Sequence, residues 1–250
     1  MLLAAGRGER MRPLTDHTPK PLLQVQGQPL LAWHLQALAA AGATQAVVNT
    51  AWLGTQISDY FGSVFGLQGT PGKREQLSIS YSHEGQDFGH ALETAGGIAR
   101  ALPLLGPVFW LAAGDVYAPD FHFDRAAAQA FSASTDLAHL WLVPNPAHHP
   151  HGDFGLSPEG RALNLGPDAS GPRYTYSTIA LLRAELFAAP WCDIPAGNPQ
   201  GQAAPLGPRL RRAMDAGRVS AQLYTGRWTD VGTPERLAAL NTDATSPPRQ

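Results

Sequence analysis

A short apolar segment, Leu2-Leu3-Ala4-Ala5, runs directly into Gly6-Arg7-Gly8-Glu9-Arg10-Met11-Arg12-Pro13-Leu14-Thr15, and Pro19-Lys20-Pro21-Leu22 closes the run. A buried strand that stops at a glycine-rich, cationic turn narrows the choice of fold. Turns of this kind lie beyond the carboxyl ends of strands in open α/β sheets, where ligands bind. Gly6 and Gly8 are expected to adopt positive φ and let the backbone approach a ligand with no Cβ in the way. Successive amides can then point at one anion. Arg7, Arg10, Arg12 and Lys20 surround that position with charge, and the prolines on either side of Lys20 stiffen its segment. The run reads as a surface for a triphosphate. It contains no Gly-Lys-Ser/Thr and is not a Walker loop, and it lacks the third glycine of a dinucleotide fingerprint.

The rest of the chain alternates strand and helix. Leu30 to Ala41 reads as a helix stopped by Gly42, and Ala46 to Val48 as the next strand. Further strands are expected at Leu77 to Tyr81, Val108 to Ala112 and Ala138 to Val143, and helices near Leu53 to Phe61, Thr94 to Leu102, Phe123 to Phe131 and Leu206 to Ala216. This order predicts a Rossmann-like α/β fold, its mostly parallel sheet covered by helices on both faces. Short strands recurring from Phe154 to Leu182 predict a mixed edge in the C-terminal half. Gly62 to Gln76 reads as an excursion loop, and 242–250 as a disordered tail.

At 250 residues the chain can bury a substantial core as one domain, and its formal net charge of -2 argues against nonspecific nucleic-acid binding. The solitary Cys192 excludes an internal disulfide and suits a reducing compartment. No apolar stretch reaches the roughly 20 residues that cross a bilayer, so a cytoplasmic protein is expected. Trp33, Trp52, Trp110 and Trp141 are expected in or at the edge of the core.

The opening run resembles that of the sugar-phosphate nucleotidyltransferases, Leu-Ala-Ala-Gly-x-Gly-x-Arg-Met/Leu-x-Pro-Leu-Thr followed by Pro-Lys-Pro, and the likeness extends over nearly the whole chain. It implies a GT-A-like nucleotidyltransferase domain over 1–241, with a nucleotide-binding part at about 1–115 and a sugar-binding part at about 116–241. Ala5, Gly6, Arg7, Gly8 and Lys20 would then hold the nucleotide, with Arg10 and Lys20 as the catalytic cations. Asp115, exposed where Leu111-Ala112-Ala113-Gly114 ends a strand, suits a Mg²⁺ ligand, although such an aspartate can also cap a turn. Asp230 in Trp228-Thr229-Asp230-Val231-Gly232-Thr233 corresponds to a second metal aspartate, and its pairing with Asp115 is implied by the resemblance alone. Glu84, Thr94 and Gly96 fall in the element that lines the nucleobase, although Thr94 could equally serve as a helix cap. Residues 86–90 enlarge that loop.

Asn145-Pro146-Ala147-His148-His149-Pro150-His151-Gly152-Asp153 could suggest zinc, but Pro150 breaks helical spacing and no cysteine is near. It reads better as a sugar-recognition loop, with Asn145 and Asp153 offering hydrogen bonds and Thr178, within Thr175 to Ile179, on another wall. Within the family the motif set looks most like the uridylyltransferases of peptidoglycan recycling, implying UTP and N-acetylmuramic acid α-1-phosphate as substrates. A histidine or arginine near this loop would then meet the lactyl carboxylate. Alternatives are transfer to mannose or glucose 1-phosphate, and a catalytically silent nucleotide sensor.

Overall fold

A computed structural model describes residues 1–66, 76–166, 169 and 171–243. In chain order the strands are β1 (Leu2–Ala4), β2 (Gln24–Val25), β3 (Gln28–Pro29), β4 (Gln45–Thr50), β5 (Val64–Gly66), β6 (Gln76–His83), β7 (Val108–Ala113), β8 (Val116–Tyr117), β9 (Ala138–Val143), β10 (Phe154–Leu156), β11 (Ala162–Leu163), β12 (Arg173–Arg183), β13 (Val219–Leu223) and β14 (Thr229–Asp230). The α-helices are α1 (Leu30–Ala40), α2 (Gly54–Phe61), α3 (Glu84–Phe88), α4 (Glu93–Ala101), α5 (Arg125–Ala133), α6 (Gly207–Asp215) and α7 (Pro234–Asp243). Most of the expected excursion loop, 67–75, and most of the expected tail, 244–250, lie outside the described residues. Among the described residues no helix is long and apolar enough to cross a membrane.

These elements form two compact units. The first joins Leu2–Ala91, Ala113–His122 and Arg227–Gln250; the second joins Met1, Leu92–Ala112 and Phe123–Gly226.

In the first unit β4 lies between β1 and β6 and is parallel to both, with β5 antiparallel along β6. Ala46 to Thr50 are all buried, as expected of a parallel strand covered on both faces. Helix α1 buries Leu30, Leu31, Leu35 and Leu38. A satellite core joins Met11 of the cationic loop to Leu23, Val25, Leu30, Tyr117, Val231 and Leu237, with Trp33 edge-on to Tyr117 at 5.1 Å. Each such side chain contributes roughly 1.5–3 kcal/mol on burial. An exposed ion pair contributes roughly 0–1 kcal/mol, so packing from beneath fixes the loop more firmly than its surface charges do.

In the second unit β12 pairs antiparallel with β7, β9 and β10, β11 pairs with β10, and β13 runs parallel to β9. The architecture is thus the expected α/β class, parallel through β1, β4 and β6 and mixed toward the C-terminal half. The ladder between β12 and β9 slips between Tyr176 and Ala180, and Thr178 sits in that irregularity at φ +61°. Ser177 closes the gap, its hydroxyl donating to Trp141 O (2.7 Å) and accepting from Ile179 N (3.1 Å).

Candidate active site

The cationic loop leaves β1 and folds back on itself. Gly8 is at φ +66° and its carbonyl accepts from Met11 N at 2.9 Å and Thr15 Oγ1 at 2.8 Å. Gly6 departs from expectation, because it lies outside the positive-φ set. It is exposed, and a Cβ added there would meet nothing within 4 Å. The fold itself does not require glycine at position 6, and its open face is free for an incoming group.

The four loop cations differ in their circumstances. Arg7 stacks on the Trp52 ring at 3.6 Å, donates to Thr15 O at 2.9 Å and reaches Asp16 at 3.3 Å. Arg12 also binds Asp16, at 2.8 Å. Burial acts to raise the Asp16 pKa, but the hydrogen bonds from Arg12 and Arg7 outweigh it and hold the carboxyl below its ordinary value. Arg10 is exposed with no hydrogen bond or ion pair to a described residue. Lys20 is buried, and its Nζ donates to Asp115 Oδ2 at 2.7 Å.

The structure brings Asp115 and Asp230 together within the first unit. Strand β14 pairs with β8 so that Asp230 lies opposite Val116, and Val231 N donates to Asp115 O at 2.8 Å. Asp115 precedes β8 in a tight turn, and Gly114 is needed there. Its N–H donates to Leu3 O at 2.7 Å, and an added Cβ would come within 2.8 Å of the same oxygen. Asp230 Oδ1 accepts from Arg236 Nη1, which also donates to Asp230 O at 3.0 Å. Each carboxylate therefore rests against a cation, Asp115 against Lys20 and Asp230 against Arg236.

Two buried polar links hold this arrangement from below. His34 Nε2 lies 2.9 Å from Val116 O. Burial lowers its pKa to about 4, overriding hydrogen bonds to the Val116 and Ala113 carbonyls that act the other way. The ring is neutral near pH 7, and its single N–H can serve one of these carbonyls at a time. It thereby ties α1 to the turn bearing Asp115. Glu84 is fully buried, and its Oε1 accepts from Asn49 Nδ2 at 2.7 Å, while Asn49 Oδ1 accepts from Ala4 N at 2.9 Å. Its carboxylate supports the end of β1 rather than facing solvent.

The remaining expected site residues belong to the second unit. Thr94 lies in the first turn of α4 but caps nothing, since that helix start has no side-chain cap. The close approach expected at Gly96 is made by the chain itself. Ala95 N and Gly96 N donate to Ala204 O at 2.8 and 3.1 Å, and a Cβ on Gly96 would collide with the Gln202 carbonyl. Asn145 is committed internally: its amide donates to Pro150 O and Arg173 O, both at 3.0 Å, and its oxygen accepts from Thr175 Oγ1 at 3.0 Å. Asp153 accepts from Tyr176 N at 2.8 Å and faces His149 Nε2 at 3.2 Å. These two residues shape the loop, and Thr178 lies nearby on β12. Sequence reasoning missed Trp52, which is half-buried in a turn as the platform for Arg7 rather than a core residue, and missed His34, Asn49, Asp16 and Arg236. Only Arg236 carried a signal, one turn into the helix after Asp230.

Comparison with known proteins shows the family. The nucleotidyl transferase family model matches residues 1–162. The chain is 47% identical over 240 residues to the N-acetylmuramate α-1-phosphate uridylyltransferase of Neisseria meningitidis, covering 95% of this chain and 94% of that protein. It is 32% identical to the enzyme of the same name from Caulobacter vibrioides, covering 96% and 94%. A crystal structure from Bacillus anthracis, titled a glucose-1-phosphate thymidylyltransferase, superposes with a TM-score of 0.75 at 19% identity, covering 100% of this chain and 96% of that one, which bears on the fold alone. With its loop, its paired aspartates and these matches, the chain belongs to the nucleotidyl transferase family.

Proposed function

We propose that this transferase moves a uridylyl group from UTP to N-acetylmuramic acid α-1-phosphate, releasing pyrophosphate and forming the UDP-sugar used in peptidoglycan recycling. The names of the two full-length relatives support the choice of nucleotide and sugar. The observation that carries the chemistry is the ion pair of buried Lys20 with half-exposed Asp115, beside Asp230 at the mouth of an exposed glycine loop. A cytoplasmic location accompanies this reading, because nucleoside triphosphates are held there.

Asp115 and Asp230 fit Mg²⁺: they are hard oxygen donors, two in number, and magnesium takes one or two carboxylates with phosphates and waters completing its shell. Its chemistry there would be charge neutralisation on the phosphates. The protein's own part is binding and alignment. Lys20 and Arg236 neutralise the two carboxylates in the free protein, and exchange of Asp115 for phosphate oxygens would place Lys20 on the triphosphate. Arg10 faces the same anion from the exposed side of the loop, and the backbone around Ala5, Gly6, Arg7 and Gly8 meets the phosphates. A sugar phosphate oxygen bonds to the α-phosphorus as the bond to the β-phosphate oxygen breaks. The nucleophile is already ionised, so no general base is needed and catalysis rests on positioning and charge.

Asp115→Asn tests this directly. Turnover should fall at least about 100-fold, the scale of removing one preorganised electrostatic group, while the circular dichroism spectrum is kept. Near-normal turnover would remove Asp115 from the mechanism.

A further inference from the structure

Beside the Asn145–Asp153 loop, within the second unit, lies a cavity of about 520 Å³ lined by the guanidiniums of Arg173 and Arg211 and by His151. We infer that this cavity is a carboxylate site, and that it takes the lactyl group of the acceptor sugar. The second half of this statement rests on the substrate proposed above.

Three observations converge. The lining residues include no carboxylate. Among the described residues the two arginines are held in place by uncharged groups: Arg173 donates to Leu165 O at 3.0 Å and to Gly166 O, and Arg211 donates to Asn164 Oδ1 at 2.8 Å and Asp153 O at 3.4 Å, with its guanidinium 4.9 Å from the centre of the Phe154 ring. A guanidinium has five N–H donors, so each keeps donors in reserve. Two acids near the cavity among the described residues are already engaged. Asp215 accepts from Asn164 Nδ2 at 2.9 and 3.1 Å, and Asp153 accepts from Tyr176 N at 2.8 Å. Among the described residues the cavity thus presents two fixed guanidiniums without a counter-charge, and such groups match a planar carboxylate in bidentate geometry. Its volume exceeds that of a lone ion and accommodates an anion carried on a larger body. The cavity shares Gly152 with the sugar-recognition loop, so an acceptor held by that loop could extend a short acidic arm into it.

The test compares N-acetylmuramic acid 1-phosphate with N-acetylglucosamine 1-phosphate, which lacks only the lactyl group, in the wild-type protein and in Arg173→Met, Arg211→Met and Arg211→Lys. Each methionine variant should raise KM for the muramyl substrate at least about tenfold, the lower end for losing a hydrogen bond to a charged group. The KM for the glucosamine substrate should stay within about twofold, and Arg211→Lys should recover part of the loss by keeping the charge. Equal losses on both substrates, or unchanged preference in folded variants, would overturn the inference. A wild-type protein with no preference for the muramyl phosphate contradicts the proposed substrate instead. The site is then read by calorimetric titration with N-acetylmuramic acid and N-acetylglucosamine. A difference abolished in Arg173→Met supports the carboxylate site, and the absence of any difference in the wild-type protein overturns it.

Discussion

Gly6 and Gly114 differ in what a methyl group would meet. At Gly114 it would come within 2.8 Å of the Leu3 carbonyl, whereas at Gly6 it would enter open space. Gly6→Ala is therefore expected to leave the thermal midpoint unchanged while raising the KM for the triphosphate about tenfold or more, because the added methyl obstructs only an incoming ligand. Unchanged KM would show that nothing approaches that face. Thr178 is the opposite case, a β-branched residue at φ +61°. Such a conformation costs roughly 1–3 kcal/mol, partly offset in a glycine variant by glycine's greater unfolded freedom. Thr178→Gly should accordingly stabilise the protein by about 1 kcal/mol in urea titrations, and a lower midpoint would contradict the strain. At this scale the sequence was legible where a residue type has one dominant structural use, as with Gly114, whose turn leaves no room for a Cβ. It did not show that Asn145 and Glu84, expected to face a sugar and a base, turn polar atoms inward, because type alone does not say which way a side chain faces.

At the level of elements, most of the helices and strands could be read from periodicity. Ala138–Val143 matches the expected strand, and α1 ends one residue short of the expected Ala41. Strand β13 and helix α3 went unread. The first is a five-residue segment that acquires its identity from parallel pairing to β9, and the second is a single short turn in the enlarged loop after β6. Neither has enough residues to show a period. The link between α1 and the β7–β8 turn was equally invisible, since His34 interrupts an otherwise apolar helix face and its partner is 82 residues away. That link has a pH signature. The unfolded imidazole takes a proton below about pH 6.5, whereas the folded one does so only below about 4. Between these values the unfolded chain binds more protons, so stability falls as pH drops through this window. The loss should reach on the order of 3 kcal/mol, and His34→Gln, which keeps a donor but does not titrate, should flatten that part of the profile. An unchanged slope in the variant would assign the acid sensitivity to other groups.

Over the whole molecule, the sequence conveyed the α/β class and the family. It did not convey how the chain partitions, because Ala113–His122 and Arg227 onward pack with the N-terminal segment through contacts distant in sequence. That partition places Asp115, Asp230, Lys20 and Arg236 in one compact unit. On the proposed reading, the Lys20–Asp115 ion pair has consequences for ligand binding. Magnesium alone should bind weakly, since it must compete with two ion pairs, and more tightly when UTP supplies phosphates for Lys20. Calorimetry with Mg²⁺ in the presence and absence of UTP would read this, and equal affinities would argue against the exchange. The central claim, uridylyl transfer to a muramyl phosphate, is tested most directly by pyrophosphate release from the purified protein with Mg²⁺. The assay crosses UTP and the other triphosphates with N-acetylmuramic acid, N-acetylglucosamine, glucose and mannose 1-phosphates. The account predicts the highest kcat/KM for UTP with the muramyl phosphate; a preference for another pair would contradict the proposed substrate, and no turnover with any pair would contradict the proposed chemistry.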